Sequence, residues 1–226
     1  MATGAGSPYG RPQQDEAYAV MADWLESLRE FRVKALVVLG PDARDEMRQR
    51  EVIAVHPPDF RGEAAILAMS TAYGTAWRSS GSSLVAWTNL MPSQSTDDAW
   101  SQAWLVRGIL SLVRVDFPVP FSQGFECFML SDRALAGRQA AASIAWTAMS
   151  VWPTLKDKCV AARFGLSPRE RQILVELALG LTAKDAAAKV GCTERTVTFH
   201  LSNILAKLKV PNKAAAIQRA CSLGLL

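Results

Sequence analysis

Four residues suited to capping helices stand at the starts of four short apolar-periodic segments in residues 166–226, and this punctuation constrains the fold more than any other feature of the chain. Ser167-Pro168-Arg169-Glu170 opens the first segment. The Ser167 hydroxyl is placed to accept from the first-turn backbone N–H groups, and Glu170, three positions on, to reach back to the Ser167 N–H. Pro168 suits the first helical position, where its missing donor would be unsatisfied anyway. Ile173, Leu174, Leu177 and Ala178 then share one helical face, and Gly180 admits the left-handed conformation that ends a helix. Thr182 with Asp185 repeats the cap pattern, Ala186, Ala187 and Ala188 permit close helix packing, and Gly191 supplies a tight turn. Thr193 caps a third helix. Asn212, after Pro211, caps a fourth that carries Ala215, Ala216, Ile217, Ala220 and Leu223.

The third helix divides into two faces. Val197, Leu201, Ile204, Leu205 and Leu208 turn inward, and Arg195, Thr198, Ser202, Asn203 and Lys207 turn outward. Arg and Asn form paired hydrogen bonds to purine edges, while Thr, Ser and Lys hold phosphates and fix register. A solvated face of an ordinary helix would show the same polar residues. The short helix and glycine turn ahead of it are what favour a groove-reading helix. Charge is segregated in the same sense: residues 166–226 hold nine Lys or Arg against four Asp or Glu, and the other 165 residues hold sixteen against seventeen. Positive potential is thus concentrated where phosphates would be met.

Ahead of this module, 226 residues at 50% hydrophobic content leave material for one larger domain. Residues 15–29 read as an amphipathic helix, 33–39 and 52–55 as short β-branched strands, and 62–78 as a helix. A third strand is expected at 84–87, a helix at 97–110, a strand pair at 112–119 and 125–130, and a long Ala-rich helix at 134–152. The fold class is therefore α+β, an N-terminal α/β/α sandwich on an antiparallel sheet followed by a C-terminal four-helix helix-turn-helix domain. The expected domains are a disordered tail at 1–14, a front domain at 15–152, a linker at 153–165 and the helical module at 166–226. No stretch has the length of a membrane span, and 1–14 lacks the apolar core of a signal peptide, which points to a cytoplasmic chain. Cys127, Cys159, Cys192 and Cys221 show no ligand spacing and read as reduced thiols. No metal or cofactor is expected.

The stretches Leu166-Ser167-Pro168-Arg169-Glu170, Ile173-Leu174, Gly180-Leu181-Thr182, Glu194-Arg195-Thr196-Val197, His200-Leu201 and Lys207-Leu208 together resemble the LuxR-type helix-turn-helix. The resemblance implies a bacterial transcription regulator, usually dimeric, with its third helix in the major groove of double-stranded DNA. Carried over by position, Arg195, Thr198, Asn203 and Lys207 are the candidate DNA contacts and Lys184 a candidate phosphate contact. Glu194 serves the helix N-terminus. A homodimer would read an inverted repeat.

The order of elements in the front part resembles the autoinducer-binding domain of quorum-sensing LuxR regulators, whose sheet and helices enclose an N-acyl homoserine lactone. Trp87 would match the tryptophan that bonds the lactone carbonyl. The family's Trp-x-x-x-Tyr pair and following Asp-Pro are absent, however, and Val113 and Arg114 stand where a glycine is usual. Without the Asp, a ligand amide N–H would lack its acceptor, at a cost of about 1–3 kcal/mol. The expectation is therefore a diverged sensory domain. Tyr73, Trp77, Ser83, Trp87 and Trp104 either line a remodelled pocket for another small molecule or fill the cavity so that no signal is needed. A conventional lactone-responsive regulator is the alternative.

Other classes fit less well. A phosphorylation-controlled receiver needs an acidic pair after its first strand and an acceptor Asp after its third, and 33–39 runs into Gly40-Pro41-Asp42 with no such series after it. An enzyme is not expected, because Asp97-Asp98 read as helix-capping residues and no nucleophile–base pattern or phosphate loop occurs. A protein-interaction module remains as the further alternative.

Overall fold

The computed structural model describes residues 11–41, 50–70, 84–92, 99–119 and 124–226. Helix α1 (Arg11–Ser27) leads into β1 (Val33–Pro41) and β2 (Arg50–His56), followed by α2 (Arg61–Met69). Then come β3 (Val85–Asn89), α3 (Ala99–Val106), β4 (Ser111–Phe117), β5 (Phe125–Ser131) and the long α4 (Arg138–Phe164). The five strands form an antiparallel sheet in the order β2-β1-β5-β4-β3. The β4–β5 connection depends on Gly124 at φ 75°, because a Cβ there would lie 2.6 Å from the Phe117 carbonyl oxygen.

Strand alternation gives the sheet two apolar faces. Leu36, Val38, Val113, Val115, Phe125, Cys127 and Met129 pack under α1 and α4, with Met21, Trp24, Leu28, Ile144 and Ala148 closing that layer. Ala35, Val37, Leu39, Leu112, Phe128 and Leu130 form the opposite face, covered by Ala64 and Leu67 of α2 and Trp100 and Trp104 of α3. This is the α/β/α sandwich that the sequence predicts. Trp24 Nε1 donates to Thr147 Oγ1 at 2.8 Å, which fixes the α1–α4 pairing within its layer. All four cysteines are free, and burial pushes the Cys159 thiol up to about 12, so it stays protonated.

The residues expected to form a linker, 153–165, are instead helical to Phe164. Pro153 lies inside α4, where it removes one backbone donor, yet the helix continues because its apolar stripe continues. Leu155 and Cys159 are buried in the same layer as Ile144 and Ala148, and Trp152 stacks on Phe117 at 4.3 Å between centroids. Burial on both sides of the proline outweighs the lost hydrogen bond.

The C-terminal module consists of α5 (Pro168–Ala178), α6 (Ala183–Val190), α7 (Glu194–Leu208) and α8 (Lys213–Ser222). Its core gathers Leu166, Ile173, Leu174, Leu177, Ala186, Ala187, Val190, Val197, Ile204, Leu208, Ala216, Ala220 and Leu223. Phe164 and Leu225 pack against both this core and the α1–α4 layer. Gly224 sits at φ 67°, where a Cβ would meet Phe125 Cε2 at 2.9 Å and Val119 Cγ1 at 3.2 Å. The chain's end is therefore seated closely on the β4–β5 end of the sheet.

Candidate nucleic-acid interface

Each helix of the module starts as its capping residue dictates. Ser167 Oγ accepts from the Glu170 N–H at 3.2 Å while Glu170 Oε2 accepts from the Ser167 N–H at 2.7 Å, a reciprocal pair that satisfies two orphan donors. Thr182 accepts from Asp185 N, Thr193 from Thr196 N and Asn212 from Ala215 N. Gly191, in the left-handed region at φ 71°, ends α6 and directs the chain into α7. Ala186 and Ala187, both buried, let α6 approach closely. Lys213 Nζ donates to the Leu181 carbonyl at 3.1 Å and thereby ties α8 to the α5–α6 turn.

These constraints leave α7 with one side in the core and one side free. Val197, Ile204 and Leu208 are buried, and Leu201 and Leu205 pack partly against them. Arg195, Thr198 and Ser202 are exposed and Asn203 is half-buried, as their helical positions predict. Thr198 Oγ1 donates to the Glu194 carbonyl at 3.0 Å and Ser202 Oγ to the Thr198 carbonyl at 3.1 Å. Their hydroxyl protons are thus spent on the helix, leaving the oxygen lone pairs directed outward as acceptors. Lys184 is exposed in the first turn of α6. Among the described residues no ion pair engages Arg195 or Lys184.

Lys207 is exposed on α7, as its helical position predicts, and it has a protein partner that its position does not predict. Its Nζ lies 2.7 Å from Glu170 Oε2 and 2.8 Å from the Gly165 carbonyl oxygen, so its ammonium joins α7 to the start of α5. Burial alone would raise the Glu170 carboxyl. The Lys207 hydrogen bond and charge, with the Ser167 donors, outweigh it and hold the group below the usual carboxylate range. The pairing has a tertiary cause: a carboxylate from another helix holds the ammonium while the Lys207 side chain stays 37% exposed. A second residue escaped the sequence reading. Phe199 is 62% exposed on the outward side of α7, a position that its spacing of four from Arg195 would have shown.

Of the five candidate ligand residues, two lie among the described residues. Tyr73, Trp77 and Ser83 lie outside the described residues. Trp87 pairs in register with Val113 and lies on the α1–α4 face of the sheet, 37% exposed. Trp104 is fully buried on the opposite face, stacked on Phe60 at 5.6 Å. No single pocket on this sheet can be lined by both. Trp104 Nε1 is nonetheless buried with no hydrogen-bond partner among the described residues.

Near Trp104's layer lies a charged cluster that the sequence did not advertise. Arg114, fully buried, pairs with Asp116 at 2.7 Å and approaches Glu126 at 3.7 Å. Arg50 pairs with Glu126 at 3.1 Å and donates to the Leu67 and Ser70 carbonyls, so β2, α2, β4 and β5 meet through these side chains. Among the described residues no group of His, Cys, Asp and Glu could hold a metal ion, and no helix is long and apolar enough to cross a membrane.

Residues 165–220 match the family described as bacterial regulatory proteins, luxR family. The chain is 49% identical over 61 residues to the transcriptional activator protein AnoR of Acinetobacter nosocomialis, covering 27% of this chain and 26% of AnoR. It is 37% identical over 86 residues to the transcriptional activator protein SolR of Ralstonia nicotianae, covering 38% of this chain and 36% of SolR. The match thus spans about a quarter to a third of these relatives' length. Among solved structures, SdiA of Escherichia coli is similar with a TM-score of 0.48 and 18% identity, covering 92% of this chain and 91% of that one.

Proposed function

The chain carries the LuxR-type helix-turn-helix over residues 165–220, and on that premise we propose that it is a DNA-binding transcription regulator that acts as a homodimer on an inverted repeat. The observation that carries the reading is the outward face of α7. Arg195 stands exposed there, in no ion pair among the described residues, just after a short helix and glycine turn that orient it. Arg195 and Asn203 read base edges, Thr198 accepts from a base or bridging water, and Lys184 meets a phosphate near the α6 N-terminus. We assign Lys207 to the α5–α7 clamp instead, because its ammonium is already engaged. Selection from randomised duplexes tests this proposal: an enriched inverted repeat supports it, and enrichment of no sequence overturns it.

The second copy is assigned to α4, where Trp146 is 71% exposed and Met149, three residues on, shares its side of the helix. Two large apolar side chains on one stripe are what a helix-to-helix dimer contact uses. Sedimentation of Trp146→Glu would give monomer where the wild-type chain gives dimer, and an unchanged dimer would contradict the assignment.

For the front domain the favoured reading is a diverged sensory unit that does not take acyl homoserine lactones. Support comes from Trp87 and Trp104 lying on opposite faces and from Arg114, Asp116 and Glu126 occupying the sheet face under α2 and α3. One observation favours a guest of another kind: among the described residues the buried Trp104 N–H has no acceptor, and an N–H left so costs about 1–3 kcal/mol, which a carbonyl-bearing small molecule would offset. Thermal denaturation with a lactone series separates these readings. Unchanged melting supports divergence, and stabilisation at micromolar lactone overturns it.

A further inference from the structure

Along the outward side of α7 the residues nearest the pole are Arg195, Phe199, Ser202 and Ala206, spaced four, three and four apart, with Thr198 and Asn203 flanking them. Phe199 is the large apolar member of this ridge. It takes no part in the module's core, which α7 enters through Val197, Ile204 and Leu208. Its ring meets the imidazole of its chain neighbour His200 edge-on at 5.7 Å, a contact that leaves the outer face of the phenyl open. A single exposed phenyl is unremarkable on most surfaces. Here it stands between an arginine and an asparagine, on the side that the proposed function places against base edges.

We propose that Phe199 is a specificity-determining residue that recognises the C5 methyl group of a thymine in each half-site. The inference rests on the groove-reading assignment of α7. In the major groove, thymine differs from the other three bases by an apolar methyl beside its O4 acceptor, and an exposed phenyl is a surface complementary to that methyl. Arg195 and Asn203, one turn to either side, supply the hydrogen bonds that place the helix. Phe199 adds discrimination of a kind that neither can provide, because a methyl group offers nothing to a donor. Ala206, two turns on, extends the apolar strip along the same ridge.

The test uses the full chain and the duplex enriched by selection. Each thymine is replaced singly by uracil, which removes the methyl and leaves every hydrogen-bonding atom in place. Burial of one methyl predicts a loss of about three- to fivefold in wild-type affinity at one or more thymines per half-site. Phe199→Ala should bind the thymine duplex more weakly and show no further loss with uracil at those positions, while Phe199→Leu should keep part of the preference. The proposal is overturned if wild-type chain tolerates uracil at every thymine, or if Phe199→Ala loses as much as wild type at the same positions. In both cases sequence-selective binding persists, so the regulator assignment stands. Failure to enrich any duplex would overturn both. If Phe199→Ala folds poorly, Phe199→Leu carries the assignment: a uracil loss smaller than that of wild type supports it, and a loss equal to that of wild type overturns it.

Discussion

Every helix of the C-terminal module begins on a side chain that bonds a backbone N–H three residues ahead, whereas α2 of the front domain begins at Phe60 with no side-chain cap. The module is specified largely by short-range chemistry, and the front domain by contacts between distant segments. Its sheet joins β1 to β5, about ninety residues apart in sequence, and its buried charges unite four separate elements. A local signal of the first kind is complete within a few residues and is easily read. Long-range packing of the second kind leaves no comparable mark in a single sequence.

That contrast can be broken or sharpened by substitution, and the front domain should suffer most. Trp104→Ala removes a fully buried ring stacked on Phe60 and should destabilise the front domain by about 3–5 kcal/mol in chemical denaturation. The module's helicity should persist to higher denaturant. If both parts unfold together, the two are energetically one unit and the contrast fails. Leu155→Ala tests the corrected course of α4. A buried leucine in the sheet layer costs about 2–5 kcal/mol, while a leucine in a loose connector would change stability by less than about 0.5 kcal/mol.

Smaller effects are expected within the module. The Glu170 carboxyl is held below its unfolded value, so its ionised form stabilises the fold above that value, and the contribution is lost as pH falls through the folded-state value. Wild-type chain should therefore lose module stability in the acid range, and Glu170→Gln should be less stable near neutrality with a shallower acid slope. Equal slopes in pH-dependent melting would contradict the Lys207–Glu170 clamp. Smallest of all, Ser167→Ala should cost about 1 kcal/mol, measured by the melting temperature of the module, because it leaves one first-turn donor without its cap.

The same division explains what could be read in advance. Ser167, Thr182, Thr193 and Asn212 were legible as caps, and Gly191 as the turn, because each depends on neighbours within a few residues. The first two strands were legible as β-branched runs and the last two as a pair joined through a glycine-containing turn. Their faces were not, because the side on which Trp87 lies is set by its register with Val113 on another strand. Pro153 read as a helix end on local grounds, and only the continued burial of Leu155 and Cys159 shows why it is not one. The Lys207–Glu170 pair was hidden for a similar reason: its two members lie 37 residues apart in sequence. Phe199 is available from helical spacing alone, as the one large apolar residue on an otherwise polar face of α7.

The central claim is that α7 presents a sequence-reading face whose discrimination depends on Arg195. It is tested most directly by measuring affinity for the enriched duplex and for scrambled duplex at several salt concentrations, with wild-type chain and Arg195→Ala. The account predicts a wild-type preference for an inverted repeat with half-sites about one helical turn, ~34 Å, apart, and a steep fall of affinity with salt. Arg195→Ala should keep most of the salt dependence while losing most of the preference. Equal wild-type affinity for enriched and scrambled duplex, or a preference undiminished in Arg195→Ala, would contradict it.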